Sequence, residues 1–134
     1  MSQSWAGAGG KQPYTSAFAL PIGGCSVLLC IAIELLYRPY IYREHLQDFG
    51  IADSGVSFFS TIAAYFVLSL YEKTSRHLLA ALYVTIGACL YELLQLLTGL
   101  GVFSVSDLIA CMLGGFAVAA YICIERRYRR CITP

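Results

Sequence analysis

The chain has 134 residues, of which 58% are hydrophobic and only 13% charged, with a net charge of +1 and a mean hydropathy of +0.68. Soluble domains carry about 25% charged residues, so this composition excludes an ordinary water-soluble fold. The near-zero balance, and a basic stretch confined to Arg126, Arg127, Arg129 and Arg130, argue against nucleic acid as a partner and for a membrane-flanking anchor.

Residues 1–16 are rich in Gly, Ser, Ala and Gln and read as a flexible N-terminal segment. The first apolar run follows, Phe18 to Tyr37, with Pro21 in its first turn, where proline is tolerated. It is too long and begins too late for a cleavable signal peptide, and reads as a retained helix. The second run is Gly55 to Tyr71, the third Leu78 to Leu97 and the fourth Phe103 to Ile124. Each approaches the roughly 20 residues needed to cross a hydrocarbon layer. No period-two alternation competes, and helices satisfy their own backbone hydrogen bonds inside lipid. The expected fold is all-α: a four-transmembrane-helix antiparallel bundle over residues 17–125, followed by a basic cytoplasmic tail over 126–134.

The connections differ in kind. Glu72–His77 and Thr98–Val102 are short, so each joins antiparallel neighbours. The segment Arg38–Ser54 is longer, and Tyr42, Leu46 and Phe49 recur in it at i, i+4, i+7. That spacing predicts a short interfacial helix in the first outer loop, set apart from the first span by Pro39. Lys11, Lys73, Arg76 and the four tail arginines fall on one side and Arg38 and Arg43 on the other. The asymmetry places both termini in the cytoplasm of a cell with an inner membrane.

Charge inside a bilayer is expensive and usually functional. With this topology Glu34, Glu92, Gln95 and Asp107 all fall in the outer layer, joined by Ser57, Ser60 and Thr61 at the start of the second span. The inner halves of the helices are almost purely apolar. The pattern predicts an outward-facing polar cleft lined by Glu34, Glu92, Gln95 and Asp107, with Arg38 or Arg43 as counter-ions. Structural roles compete with this: a Glu34–Arg38 ion pair at i, i+4, Asp107 favouring a helix N-terminus, and Glu92 hydrogen-bonded to Gln95 or to a neighbouring helix. Ala110, Gly114 and Gly115 form a small-residue face for close helix packing. The six cysteines contain no CxxC pair and read as small buried residues, with Cys131 beside the arginines a weak acylation candidate. His45 and His77 sit at opposite interfaces, so neither a metal site nor a cofactor is expected.

Tyr91-Glu92-Leu93-Leu94-Gln95, followed by a turn and by Asp107-Leu108-Ile109-Ala110 with Gly114-Gly115, resembles the VanZ-like membrane protein family, as does Asp53 to Phe59. That family typically shows Glu-x-x-Gln on one helix and an Asp opening the next. The resemblance covers about the last two thirds of the chain. It implies Glu92, Gln95 and Asp107 as site positions. The chain departs from it in lacking an Arg between Thr98 and Ser106 and in carrying Cys111 where many members have Asn. The family takes its name from a protein linked to teicoplanin resistance, which does not define a reaction.

Two functional classes follow. The first is a protein that binds an outer-leaflet lipid or cell-envelope ligand, with Glu92 as acceptor or acid/base, Gln95 orienting it and Asp107 meeting the head group. No nucleophile–base pair or oxyanion donor set stands out, which argues against an enzyme. The second is an accessory subunit of a larger membrane complex, for example a photosynthetic or respiratory assembly. There, other membrane subunits or a second copy would dock on Phe58, Phe59, Tyr65 and Phe66 or on the small face of the fourth helix. A channel or transporter would need polar groups through the whole thickness.

Overall fold

The computed structural model describes residues 18–71, 76–99 and 103–132; the N-terminal segment 1–16, most of the 72–77 connection and most of the 98–102 turn lie outside the described residues. The elements are α1 (Ala19–Ala32), a π-helical turn (Ile33–Tyr37), α2 (Arg38–Arg43), α3 (Ile51–Tyr71), α4 (His77–Thr98) and α5 (Val105–Ile132). Among the described residues every element is helical. Four stretches are long and apolar enough to cross a membrane: Ala19–Arg43, Ile51–Leu70, His77–Thr98 and Val105–Tyr128. The surface bears this out, since Leu97 is 81% and Phe116 74% exposed while the buried set includes Glu92, Ser57 and Thr61. Apolar groups outside and polar groups inside suit a multi-pass membrane protein.

The first span does not stop at Pro39. Proline lacks an N–H and its ring crowds the carbonyl four residues back, here that of Leu35. The chain accommodates this by widening into a π turn, in which the Arg38 N–H reaches the Ile33 carbonyl. Pro39 then falls in the first turn of α2, directly after the π turn. The short helix after the first span therefore exists as Arg38–Arg43 but continues that span. The stripe of Tyr42, Leu46 and Phe49 does not form a helical face: left-handed backbone at His45 (φ 50) and Phe49 (φ 56) breaks the periodicity. Asp48 starts α3 earlier than hydropathy suggests, accepting hydrogen bonds from the N–H groups of Gly50 (3.1 Å) and Ala52 (2.6 Å). At the far end, α5 carries the basic segment as a helix through Ile132.

The four spans alternate in direction. The end where α2 leads into α3 and α4 turns toward α5 is termed the top. α3 packs against α1 and α5, and α4 leans mainly on α5. An apolar core of Ile62, Tyr65, Phe66, Ala81, Val118 and Ile122 fills the lower half. Phe66 and Tyr121 meet edge to face at 5.3 Å. The aromatic face expected to dock another membrane subunit is thus internal: Tyr65 is 4% and Phe66 2% exposed, and Phe58 and Phe59 pack against the core.

The small face of α5 is also used within the bundle. A Cβ on Gly114 would lie 2.7 Å from the Phe58 carbonyl oxygen, and one on Gly115 would run into the Thr85 side chain. Ala110 beside them is buried. The six cysteines are free; Cys111 is buried, whereas Cys25 and Cys123 are exposed and so are not the small buried residues expected, and Cys131 in the basic segment is exposed as well.

Gly115→Val is expected to lower stability by about 1–3 kcal/mol through overpacking, and Thr85→Ala, which removes the two nearest obstructing atoms, is expected to restore part of it. Thermal unfolding of both variants in detergent micelles checks this; an unchanged midpoint for Gly115→Val would contradict the close α4–α5 contact.

Candidate functional site

A cleft of about 1160 Å³ opens between α3 and α4, with α5 as its floor and the α1–α2 junction at its mouth. Its top wall carries Glu34, Arg38, Asp53, Ser57, Glu92, Gln95 and Asp107. Its lower wall is Ala64, Leu68, Val84, Gly87 and Ala88. Ala64, Leu68, Gly87 and Tyr91 on its rim are exposed, so the cleft opens sideways toward the surroundings of the bundle.

Glu92 is the centre of the polar wall and is 6% exposed. It sits on the inward side of α4, six residues before the helix end. The Ser57 hydroxyl of α3 donates to its Oε1 (3.0 Å), and Gln95 Nε2, one turn along α4, donates to its Oε2 (3.1 Å). The i, i+3 spacing places Gln95 on the same face. Ser57 is held in turn: its carbonyl accepts from the hydroxyls of Ser60 (3.1 Å) and Thr61 (2.9 Å) and from the Cys111 thiol (3.8 Å). A buried carboxyl without such donors would be strongly destabilising.

Asp107 occupies the first turn of α5. Ser104 opens that helix, its Oγ accepting from the Ser106 N–H (3.2 Å) and its carbonyl from the Asp107 N–H (3.1 Å). Asp107 is within electrostatic reach of Glu92, Asp53 and Arg38. Its Oδ1 is shielded from solvent and has no hydrogen-bond partner among the described residues.

Arg38 closes the mouth. It pairs with Glu34 one turn earlier (3.1 Å) and with Asp53 of α3 (3.2 Å), and its guanidinium carbon lies 5.9 Å from the centre of the Tyr42 ring. The Tyr42 hydroxyl donates to the same Asp53 (2.9 Å). The structure thus brings Glu34, Arg38, Glu92, Gln95 and Asp107 into one cleft. Arg43 is not among them: it is exposed and pairs with its neighbour Glu44 (3.2 Å). Five residues separate it from Arg38, which turns it about 140° around a helix, so it points away from the cleft. Asp53 and Tyr42 belong to the site without having been assigned to it from sequence. His77, the other residue expected at an interface, is buried and meets the Tyr65 hydroxyl at 3.3 Å.

Among the described residues no group of three His, Cys, Asp or Glu is placed to hold a metal ion. No protein-family model, curated protein or solved structure matches the chain.

The Ser57–Glu92 bond is the link across the top of the cleft. Ser57→Ala is expected to destabilise the protein by about 0.6–1.7 kcal/mol, the range for side-chain hydrogen bonds between membrane helices. In a double-mutant cycle with Glu92→Leu the two effects should be less than additive. Strict additivity in denaturant unfolding would show that the two side chains do not interact.

Proposed function

We propose that the protein holds an amphiphile, a membrane lipid or lipid-linked cell-envelope precursor, in the cleft between α3 and α4. The observation that carries this reading is the division of one cleft into a polar top and an apolar lower wall, open at the side. An amphiphile matches both parts: its head group meets Glu92, Gln95 and Asp107, and its chain runs down along Ala64, Leu68, Val84 and Ala88. Ligand sites in general are concave and mostly apolar with a few convergent polar groups. In this reading the top end lies in the outer leaflet of a bacterial inner membrane and both termini are cytoplasmic, as the positive charge near Arg126–Arg130 supports. The likeness of Glu92, Gln95 and Asp107 to the VanZ-like pattern is in keeping with a site at these positions.

A second reading, an accessory subunit of a larger membrane assembly, has one observation in its favour. Among the described residues the first span packs against α3 alone of the other spans, and it leaves Leu20, Leu28, Leu35 and Leu36 exposed. The two faces first proposed for docking are occupied inside the bundle, so a partner would use another exposed face, such as this side of the first span.

Ala88→Phe, which fills the lower cleft, is expected to reduce lipid retained through detergent washing at least tenfold with little change in unfolding midpoint. Native mass spectrometry after gentle extraction reads this directly. Undiminished lipid on the variant would sink the binding reading, and a stoichiometric large complex from native membranes would support the accessory one.

A further inference from the structure

The head-group chemistry can be narrowed further, resting on the amphiphile reading of the same cleft. We propose that the cleft selects an amphiphile whose head group carries a primary ammonium, with Glu92 and Asp107 as its acceptors, over one whose head group is solely anionic.

The first argument is charge. Four carboxyl side chains line the cleft, those of Glu34, Asp53, Glu92 and Asp107, against a single guanidinium. Arg38 is already engaged by Glu34 at 3.1 Å and Asp53 at 3.2 Å, and among the described residues no lysine or second arginine lines the walls. A phosphate head arriving at the polar wall would face Glu92 and Asp107 with no unengaged cation among the described residues to offset them. Like charges in a medium of low dielectric repel strongly.

The second argument is the direction of the hydrogen bonds. Ser57 and Gln95 give their protons to Glu92, and Thr61 gives its proton to the Ser57 carbonyl. The Ser57 and Thr61 hydroxyls and one of the two Gln95 amide protons are therefore committed within the protein, and most of the capacity left at Glu92 and Asp107 is for accepting. An ionised carboxylate offers about four lone-pair sites and no donor; among the described residues two donors reach Glu92 and none reaches Asp107 Oδ1, which is shielded from solvent. The atom that lacks a partner and the excess of negative charge thus occur in the same wall.

A primary ammonium supplies a positive charge and three N–H donors at once. A quaternary ammonium supplies the charge without the donors. A phosphodiester carrying only hydroxyls adds negative charge to the cleft. Where a phosphate accompanies the ammonium, the hydroxyls of Tyr91 and Ser104 on the same lining are available to it.

The test is a lipid titration of the full chain in detergent micelles, followed by native mass spectrometry. The probes are phosphatidylethanolamine, phosphatidylcholine and phosphatidylglycerol with identical acyl chains, and a single-chain primary alkylamine as competitor. Phosphatidylethanolamine is expected to bind at least tenfold more tightly than phosphatidylglycerol, with phosphatidylcholine between them, and the alkylamine to displace it. Asp107→Asn, which keeps the size and helix-starting character of the residue, is expected to abolish most of that preference. Ala88→Phe separates the two levels of the argument. If it removes all bound lipid but phosphatidylglycerol equals or exceeds phosphatidylethanolamine on the unmodified chain, the head-group inference is wrong and the cleft reading stands. An unchanged preference in Asp107→Asn also overturns the inference. If Ala88→Phe displaces no lipid, the cleft reading itself fails.

Discussion

The close approach of α5 to its two neighbours at Gly114 and Gly115 is the constraint on which the rest of the bundle depends. Successive residues on a helix are turned by about 100°, so two adjacent glycines open two different faces. Gly114 lets the backbone of α3 come in at Phe58, and Gly115 accepts Thr85 of α4. α3 and α4 are thereby seated on α5 more than on each other. The space left between them is the cleft, bridged near the top by Ser57 and Glu92 and near the bottom by Tyr65 and His77. Larger side chains on α5 would move both walls at once. In an apolar solvent, burial of hydrophobic surface does little to hold helices together, and van der Waals contact of this kind becomes the main adhesive.

The two halves of the molecule solve different problems. Below, Phe66, Tyr121, Val118 and Ile122 form a dry core, which needs only good packing. Above, a carboxyl 6% exposed has to be supplied with donors, and the whole top layer is organised around that need: Ser57 and Gln95 serve Glu92, and Ser60, Thr61 and Cys111 steady the Ser57 backbone. The exception is Asp107, whose Oδ1 is enclosed without a matching donor among the described residues. A polar network satisfied everywhere but at one atom beside a large cleft is what a site for an external donor would look like.

Much of this was legible in the sequence because membrane helices must be long, apolar and self-bonded. Run lengths therefore located all four spans, and the depth of each polar residue along its span gathered Glu34, Glu92, Gln95 and Asp107 into one layer. Three kinds of detail were not legible. Helix ends depend on local chemistry: Asp48 starts α3 at Ile51, and the π turn carries the first span past Pro39. Which way a face points is hidden when lipid and protein interior are equally apolar. Phe58, Phe59, Tyr65 and Phe66 therefore looked like a docking surface although they pack within the bundle. Asp53, finally, stood at a loop boundary, where an acidic residue is unremarkable. The early start of α3 is what turns it toward Arg38, and a helix-start pattern at Asp48 was the signal that would have revealed it.

The mouth of the cleft is built on a different principle from its floor. The floor depends on glycine contacts with no room to adjust. The mouth depends on Arg38, which ties the π turn and α2 to Asp53 in the first turn of α3 through charge and through the Tyr42 hydroxyl. These groups are partly exposed: the Arg38 and Asp53 side chains are 40% and 41% accessible. Pairs of this kind reorganise at small expense. The π turn beneath them is also where the hydrogen-bond ladder of the first span is already loosened. Rigidity is thus concentrated where α5 positions Glu92 and Asp107 relative to each other, and adaptability where a head group would have to enter. Under the proposed amphiphile reading, that distribution would place selectivity in fixed acceptors and leave the adaptable groups around Arg38 at the entrance.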